Sequence, residues 1–227
     1  MQVINETFDT SITESTIYRC ALYGKINLSI YFQSPVILRK ITKNGEKVKM
    51  FTLDNSEIKR LCFLDKHCFK NNRNLIISTE EYYFSSRRNI LDTNLFEFEY
   101  IIIQRYLADS LSMPLPIDNP DAINFGITVT SGNELFLLFN KISWQEQIQS
   151  KIKYLSGETT TIIKESSFRN EKRDYADSCY FPMHDLPQDA CFVIKCVEIE
   201  RLIEKLTSDK NSKLSPTRIS TPLSRLF

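Results

Sequence analysis

The sequence predicts an α+β fold: a bent antiparallel β-sheet capped by an amphipathic helix, with a C-terminal strand–helix and a disordered tail. Three observations carry this. Short alternating apolar runs, punctuated by turn residues, fill the first 53 positions. A tight hairpin signal leads directly into an amphipathic helix at 123–155. Residues 207–227 are polar and aperiodic.

The elements follow in order. Residues 16–23 are rich in β-branched and aromatic types and read as a strand ended by Gly24. Residues 27–32 alternate, with Leu28, Ile30 and Phe32 on one face, and 36–41 form the next strand after Pro35. Asn44–Gly45 is a type I′ hairpin signal leading to a strand at 47–53. Together these predict a meander. Residues 55–64 place Ile58, Leu61 and Cys62 on one helical stripe. Residues 66–74 are basic and irregular. Strands are expected at 75–78 and 81–84. The aromatic and isoleucine content of 95–107 favours a strand up to Ile103 and leaves room for a short helix after it, and the prolines of 113–120 predict a loop.

Residues 123–130 and 134–139 read as two strands around Ser131, Gly132 and Asn133. Trp144, Ile148, Ile152 and Leu155 then fall on one helical face. Ser143 with Glu146 forms a capping box, and Gly157 supplies the stop. A strand at 159–164, an exposed charged loop at 165–177, a strand at 190–197 and a helix at 198–206 complete the chain. The expected organisation is a β-rich domain over 1–156 with 54–122 inserted, a strand–helix extension over 157–206, and the tail.

Composition narrows the function classes. The chain has 227 residues, 42% of them hydrophobic, which is enough to build a core. A net charge of +1 gives no global attraction to nucleic acid or anionic membrane. The polar N-terminus and short apolar runs predict an intracellular protein, nuclear or cytoplasmic, that does not enter a membrane. Six cysteines are then expected as reduced thiols. Five scattered glycines make no phosphate-cradling loop, which argues against nucleotide enzymes.

A hairpin followed at once by an amphipathic helix is the closing unit of pleckstrin-homology-like domains. The run from Asn124 through Phe125, Gly126 and Gly132 to Phe139 resembles that unit. Within this class the chain resembles the meiotic DNA double-strand-break accessory factor family with an N-terminal pleckstrin-homology-like domain. The blocks at 17–23, 28–32, the Gly45 hairpin through Phe51, Thr52 and Leu53, and Phe125–Gly126 carry that likeness. The resemblance implies a noncatalytic nuclear factor in DNA recombination. Such a factor joins a helical partner and supports a topoisomerase-like protein that cuts DNA. The long segment 54–122 and the strand–helix at 190–206 depart from the family plan.

The residues point to a protein–protein interaction scaffold without catalytic residues, cofactor or assigned metal. Partner-binding candidates are Trp144 beside a groove, and Arg201, Glu204 and Lys205 on the last helix. Arg225, Leu226 and Phe227 form a docking motif in the tail. Ser215 and Thr221 precede prolines and are candidate phosphorylation sites, each adding about −1.5 to −2 charges. The alternative is a nucleic-acid-binding protein. It would use Lys66, Lys70, Arg73, Arg87 and Arg88 with interleaved aromatics, and could include a Cys/His zinc site drawn from Cys62, His67, Cys68, Cys179, His184, Cys191 and Cys196. Arg169, Lys172 and Arg173 form a further basic cluster. Three other chemistries have weaker signals: a phosphoinositide patch at Lys40, Lys43, Lys47 and Lys49, a Cys179–His184 nucleophile, and a nuclease site at Asp121 and Glu134 lacking the expected Glu-x-Lys.

Overall fold

The structure, a computed structural model, describes residues 12–115, 123–153 and 178–213. In chain order the elements are α1 (Glu14–Leu22), β1 (Leu28–Phe32), β2 (Ile37–Ile41), β3 (Lys43–Asn44), β4 (Lys47–Val48), β5 (Met50–Thr52), α2 (Glu57–Phe63) and α3 (Lys66–Lys70). They continue with β6 (Leu75–Ile77), β7 (Thr79–Ser85), β8 (Ile90–Thr93), α4 (Phe98–Ser110), β9 (Thr128–Ser131), β10 (Glu134–Ser143), α5 (Trp144–Ile152), β11 (Ser178–Pro182), β12 (Ala190–Val193) and α6 (Cys196–Lys213).

Eight strands form one open sheet in the order β12-β1-β8-β9-β10-β2-β7, with β11 also on β10. Every pairing in it is antiparallel. β10 is the spine. One of its edges pairs with β2, and the other is shared end to end by β9 and β11. At their junction the Ile127 N–H donates to the Met183 carbonyl, the Met183 N–H to Leu138, and the Leu138 N–H to Ile127. Gly126 makes this approach fit. Its φ is +111°, and a Cβ there would stand 3.0 Å from Leu137 Cδ1 and 3.1 Å from the Met183 oxygen.

The sheet is bent, so strands distant in order share cores. Ile30 and Phe32 of β1 pack with Leu38 of β2, and with Val129, Phe136 and Leu138, although β1 and β2 are not neighbours. Another core forms under α1, α4 and α6 from Ile17, Cys20, Leu28, Ile103 and Leu202. The reverse face of β10 and β2 packs Ile41, Leu137 and Phe139 with Ile77. Trp144 of α5 closes on Phe181 of β11, with Ile58 and Cys62 of α2. Burying each large apolar side chain contributes about 1.5–3 kcal/mol. Glu99 is the polar exception. It is 0% exposed on the first turn of α4, and its carboxylate accepts the N–H and hydroxyl of Thr128. That contact pins α4 to the start of β9.

Several expectations are corrected here. Residues 16–23 are not a strand. Thr13 caps α1 by accepting the Thr16 N–H, and Ile17, Cys20 and Ala21 bury one helical face. The i, i+3, i+4 spacing outweighs the β-branched composition. The stretch up to Ile103 is likewise helical, as α4, with Ile103 buried four residues after Glu99. The early strands do not form a simple meander, because β8, β9 and β10 lie between β1 and β2. β9 begins only at Thr128, residues 66–70 make a short helix capped by Asp65, and the 190–197 strand ends at Val193. The last helix runs to Lys213 rather than stopping at 206, so the tail cannot begin at 207.

The hairpin at Gly132, α2, and the Ser143–Glu146 capping box of α5 match expectation. A turn forms at Gly45, but the strand expected at 47–53 is broken into β4 and β5, which pair with β3 and β6 in two separate two-stranded sheets. β7 and β8, within 54–122, belong to the main sheet, and so does β12. Gly157 and the readings for 159–164 and 165–177 lie outside the described residues, as does the loop from 116 to 120.

Candidate interaction surface

One edge of the main sheet is β7, whose ladder among the described residues runs only to β2. The strand has seven residues, Thr79 to Ser85. The Ser86 N–H donates to the Val36 carbonyl, and Phe84 is opposite Leu38. Antiparallel alternation therefore turns the backbone groups of Tyr83 and Ser85 away from β2, towards the open edge.

The side chains of β7 divide sharply. Tyr83 faces inward. It stacks on Tyr180 at 3.9 Å and meets Phe139 edge-on at 5.2 Å. The Arg39 guanidinium lies 4.5 Å from the Tyr83 ring centroid, with Nη1 donating to its hydroxyl and Nε donating to the Glu80 carbonyl. These contacts anchor the inner face of the strand. Tyr82 and Phe84 face the other way and are 80% and 42% exposed. Phe84 rests edge-on against Phe136 at 5.1 Å.

Natural edge strands are usually short or guarded by charge. β12, at the opposite edge, has only four residues. β7 is longer, and its two glutamates sit at one end. Glu80 is already engaged by Lys40, which bridges it to Glu134 at 3.1 and 3.3 Å. The half from Tyr82 to Ser85 carries no charge. A seven-residue edge with apolar rings on both faces can accept an added strand.

The predicted partner residues are dispersed. Trp144 is 9% exposed and packs edge-on against Phe181 at 4.9 Å and Phe63 at 5.9 Å, so its ring faces the interior. The apolar side of α6 is also covered, with Leu202 in a core. Glu198 accepts the Asn27 N–H at 2.8 Å and Lys205 donates to the Lys25 carbonyl at 3.2 Å. Arg201, Glu204 and Lys205 are exposed on the outer side of this helix, with Arg201 paired to Glu198 at 3.5 Å. Ser215, Thr221, Arg225, Leu226 and Phe227 lie outside the described residues, as do Asp121, Arg169, Lys172 and Arg173.

Lys66 and Lys70 are exposed on α3 and Arg73 is half-buried after it, whereas Arg87 and Arg88 follow β7. These two basic groups therefore belong to different elements. Of the four lysines around Gly45, Lys40 is committed to carboxylates and Lys43, Lys47 and Lys49 are exposed.

Cys62 and Cys179 meet in one apolar cluster, but among the described residues no group of three or more His, Cys, Asp or Glu side chains could hold a metal ion. Burial pushes the Cys62 thiol up to about 12. Cys68 is raised to about 12 by burial and then by Asp65. Such thiols stay protonated near neutral pH, and it is the thiolate that ligates or attacks. His67 contacts the Asn71 side-chain amide. His184 is buried and its basicity is lowered well below 6.5 by desolvation and then by Lys151. The Lys151 ammonium donates to the Leu64 carbonyl at 3.2 Å and stands 3.4 Å from His184 Nδ1. Gln147 Nε2 donates to the Cys62 carbonyl at 2.8 Å. This polar group ties α5 to α2 and to the segment after β11.

No family model, curated protein or solved structure matches the chain. The geometry therefore carries the functional argument. Sequence reasoning found a strand at 81–84 but not its position at the edge. The available signal was its pattern: Tyr82, Tyr83 and Phe84 put large apolar groups on both faces, unlike a half-exposed strand with one polar face.

Proposed function

We propose that this chain is a noncatalytic interaction protein whose β7 edge receives an extended segment of a protein partner. The observation that carries this is the uncharged run from Tyr82 to Ser85, which pairs with β2 alone among the described residues and is backed by Arg39, Tyr83 and Tyr180. Main-chain hydrogen bonds supply affinity in this mode, and alternate side chains supply selection. Tyr82 and Phe84 are those selecting groups. Covering each contributes about 1.5–3 kcal/mol before the costs of association. The charged outer side of α6, with Arg201, Glu204 and Lys205, is a second contact surface suited to a helical partner.

A pleckstrin-homology-like reading is supported by the β9–β10 hairpin running directly into α5. A role as an accessory factor in meiotic DNA double-strand-break formation, in the nucleus, rests on the resemblance of the sequence blocks. The two basic groups, on separate elements of a chain with balanced charge, give a nucleic-acid reading less support.

The test is Ser85→Pro. Proline removes an N–H directed to the open edge and leaves the β2 ladder its donors. Affinity purification from native cells, with wild type and variant compared, is expected to show at least a roughly tenfold loss of a specific co-purifying protein. That is the effect of about 1.4 kcal/mol, one or two hydrogen bonds. Unchanged recovery by a variant with wild-type thermal stability refutes the proposal.

A further inference from the structure

Beside the open edge lies a pocket of about 410 Å³ that the strand-addition reading does not use. Its apolar lining includes Phe32 at the end of β1, Val36 just before β2, Phe139 of β10 and Met183 just after β11. Pro35 and Pro187 stand on its wall, where fixed φ angles stiffen the backbone. A volume of this size is in the range of sites that enclose small ligands or one or two side chains.

The polar groups decide what would enter. Asp185 and Asp189 both line the pocket. Asp189 is held in place: one carboxylate oxygen accepts the Ser34 N–H at 3.1 Å, and its carbonyl accepts the Gln33 N–H. Asp185 is exposed. It acts electrostatically on Lys151, and no hydrogen bond or ion pair of it is found among the described residues. The cation on the wall is Lys141, whose ammonium lies 5.7 Å from the Tyr180 ring. The lining thus combines two acidic residues, one of them acting on Lys151, with one lysine engaged at Tyr180 and an apolar set of side chains. The pocket adjoins the C-terminal end of β7, because its wall residues Val36 and Ile37 are partners of Ser86 and Ser85.

We propose that this pocket takes an arginine side chain, with a neighbouring apolar residue, from a protein partner. The guanidinium meets Asp185 and Asp189, where its fork geometry suits carboxylate oxygens. The aliphatic stem and the apolar neighbour cover Val36 and Met183. That the arginine belongs to a protein rests on the β7 reading; the cation-binding chemistry of the pocket does not.

The test is methyl NMR of the full chain titrated with leucyl-arginine amide. The expected result is saturable shifts at the Val36 and Met183 methyls, with a Kd of about millimolar order. Asp185→Asn, or leucyl-citrulline amide as a neutral isostere, is expected to weaken binding about fivefold or more, a loss of about 1 kcal/mol. Absence of shifts at those methyls, or equal binding of the citrulline probe, overturns the proposal. Equal binding of spermidine overturns the peptide part. Ser85→Pro leaves the probe titration unchanged. A pocket that binds the probe while Ser85→Pro keeps its partner therefore sinks only the strand-addition reading.

Discussion

Glu99 makes the stability of this fold depend on pH in a direction opposite to that of most carboxylates. It is fully buried, and desolvation pushes its carboxyl from 4.5 up to about 7, against the stabilising hydrogen bonds from Thr128. Between those two values the native state holds a proton that the unfolded chain has released. The contribution of Glu99 to stability is therefore greatest below about pH 4.5 and falls as pH rises towards about 7, beyond which the loss is complete. Raising a carboxyl from 4.5 to about 7 corresponds to about 3 kcal/mol in all, most of it between pH ~5 and pH ~8. Glu99→Gln keeps an oxygen to accept the Thr128 N–H and an amide to meet its hydroxyl, but does not titrate. Urea unfolding of both proteins at pH ~5 and ~8 is the assay. The stability gained by the variant relative to wild type is expected to grow by roughly 2–3 kcal/mol across that interval. Taking the difference cancels His184, which acts in the opposite direction below about 6.5. An equal pH dependence for the two proteins would refute the assignment of a buried, raised carboxyl to Glu99.

Two further predictions concern the buried polar groups. His184 is neutral in the fold with its basicity depressed, so its contribution is intact above the unfolded value of 6.5 and is lost as pH falls below it. Lys151→Met removes the nearby positive charge, and an NMR titration of the imidazole is expected to show its pKa moving up while burial keeps it below 6.5. Thiol labelling of the native protein is expected to modify the exposed Cys191 and Cys196 rapidly and to spare Cys20, Cys62 and Cys68 until the chain unfolds; rapid native labelling of Cys62 would contradict its packing under Trp144.

Local signals foretold much of the fold, and non-local pairing decided the rest. The Gly132 hairpin, α5 and its capping box depend on neighbours in sequence and are legible there. α1 and α4 were masked by composition, because isoleucine and tyrosine favour strands in general although their helical spacing here is correct. β11 has no alternation strong enough to announce it. Its place is set by the far half of β10, which is long enough to pair with two strands in succession on one edge. The candidate surface was hidden for the same reason. That Tyr82 and Phe84 lie at an open edge follows from β7 pairing with β2 alone among the described residues, and β2 is paired on its other side to a strand nearly a hundred residues later. Trp144 shows the converse. An aromatic leading an amphipathic helix looks available to a partner, but Phe181 arrives from a strand that the sequence pattern did not reveal.

The most direct test of the interaction account is site-specific photo-crosslinking in native cells, with a photoreactive phenylalanine replacing Tyr82 on the exposed side of β7, and the same residue replacing Gln145 on the exposed side of α5 as a control. The account predicts a discrete crosslinked protein from position 82, absent from position 145 and lost when Ser85→Pro is added. Adducts that are indistinguishable between the two positions, or that survive Ser85→Pro, would contradict it.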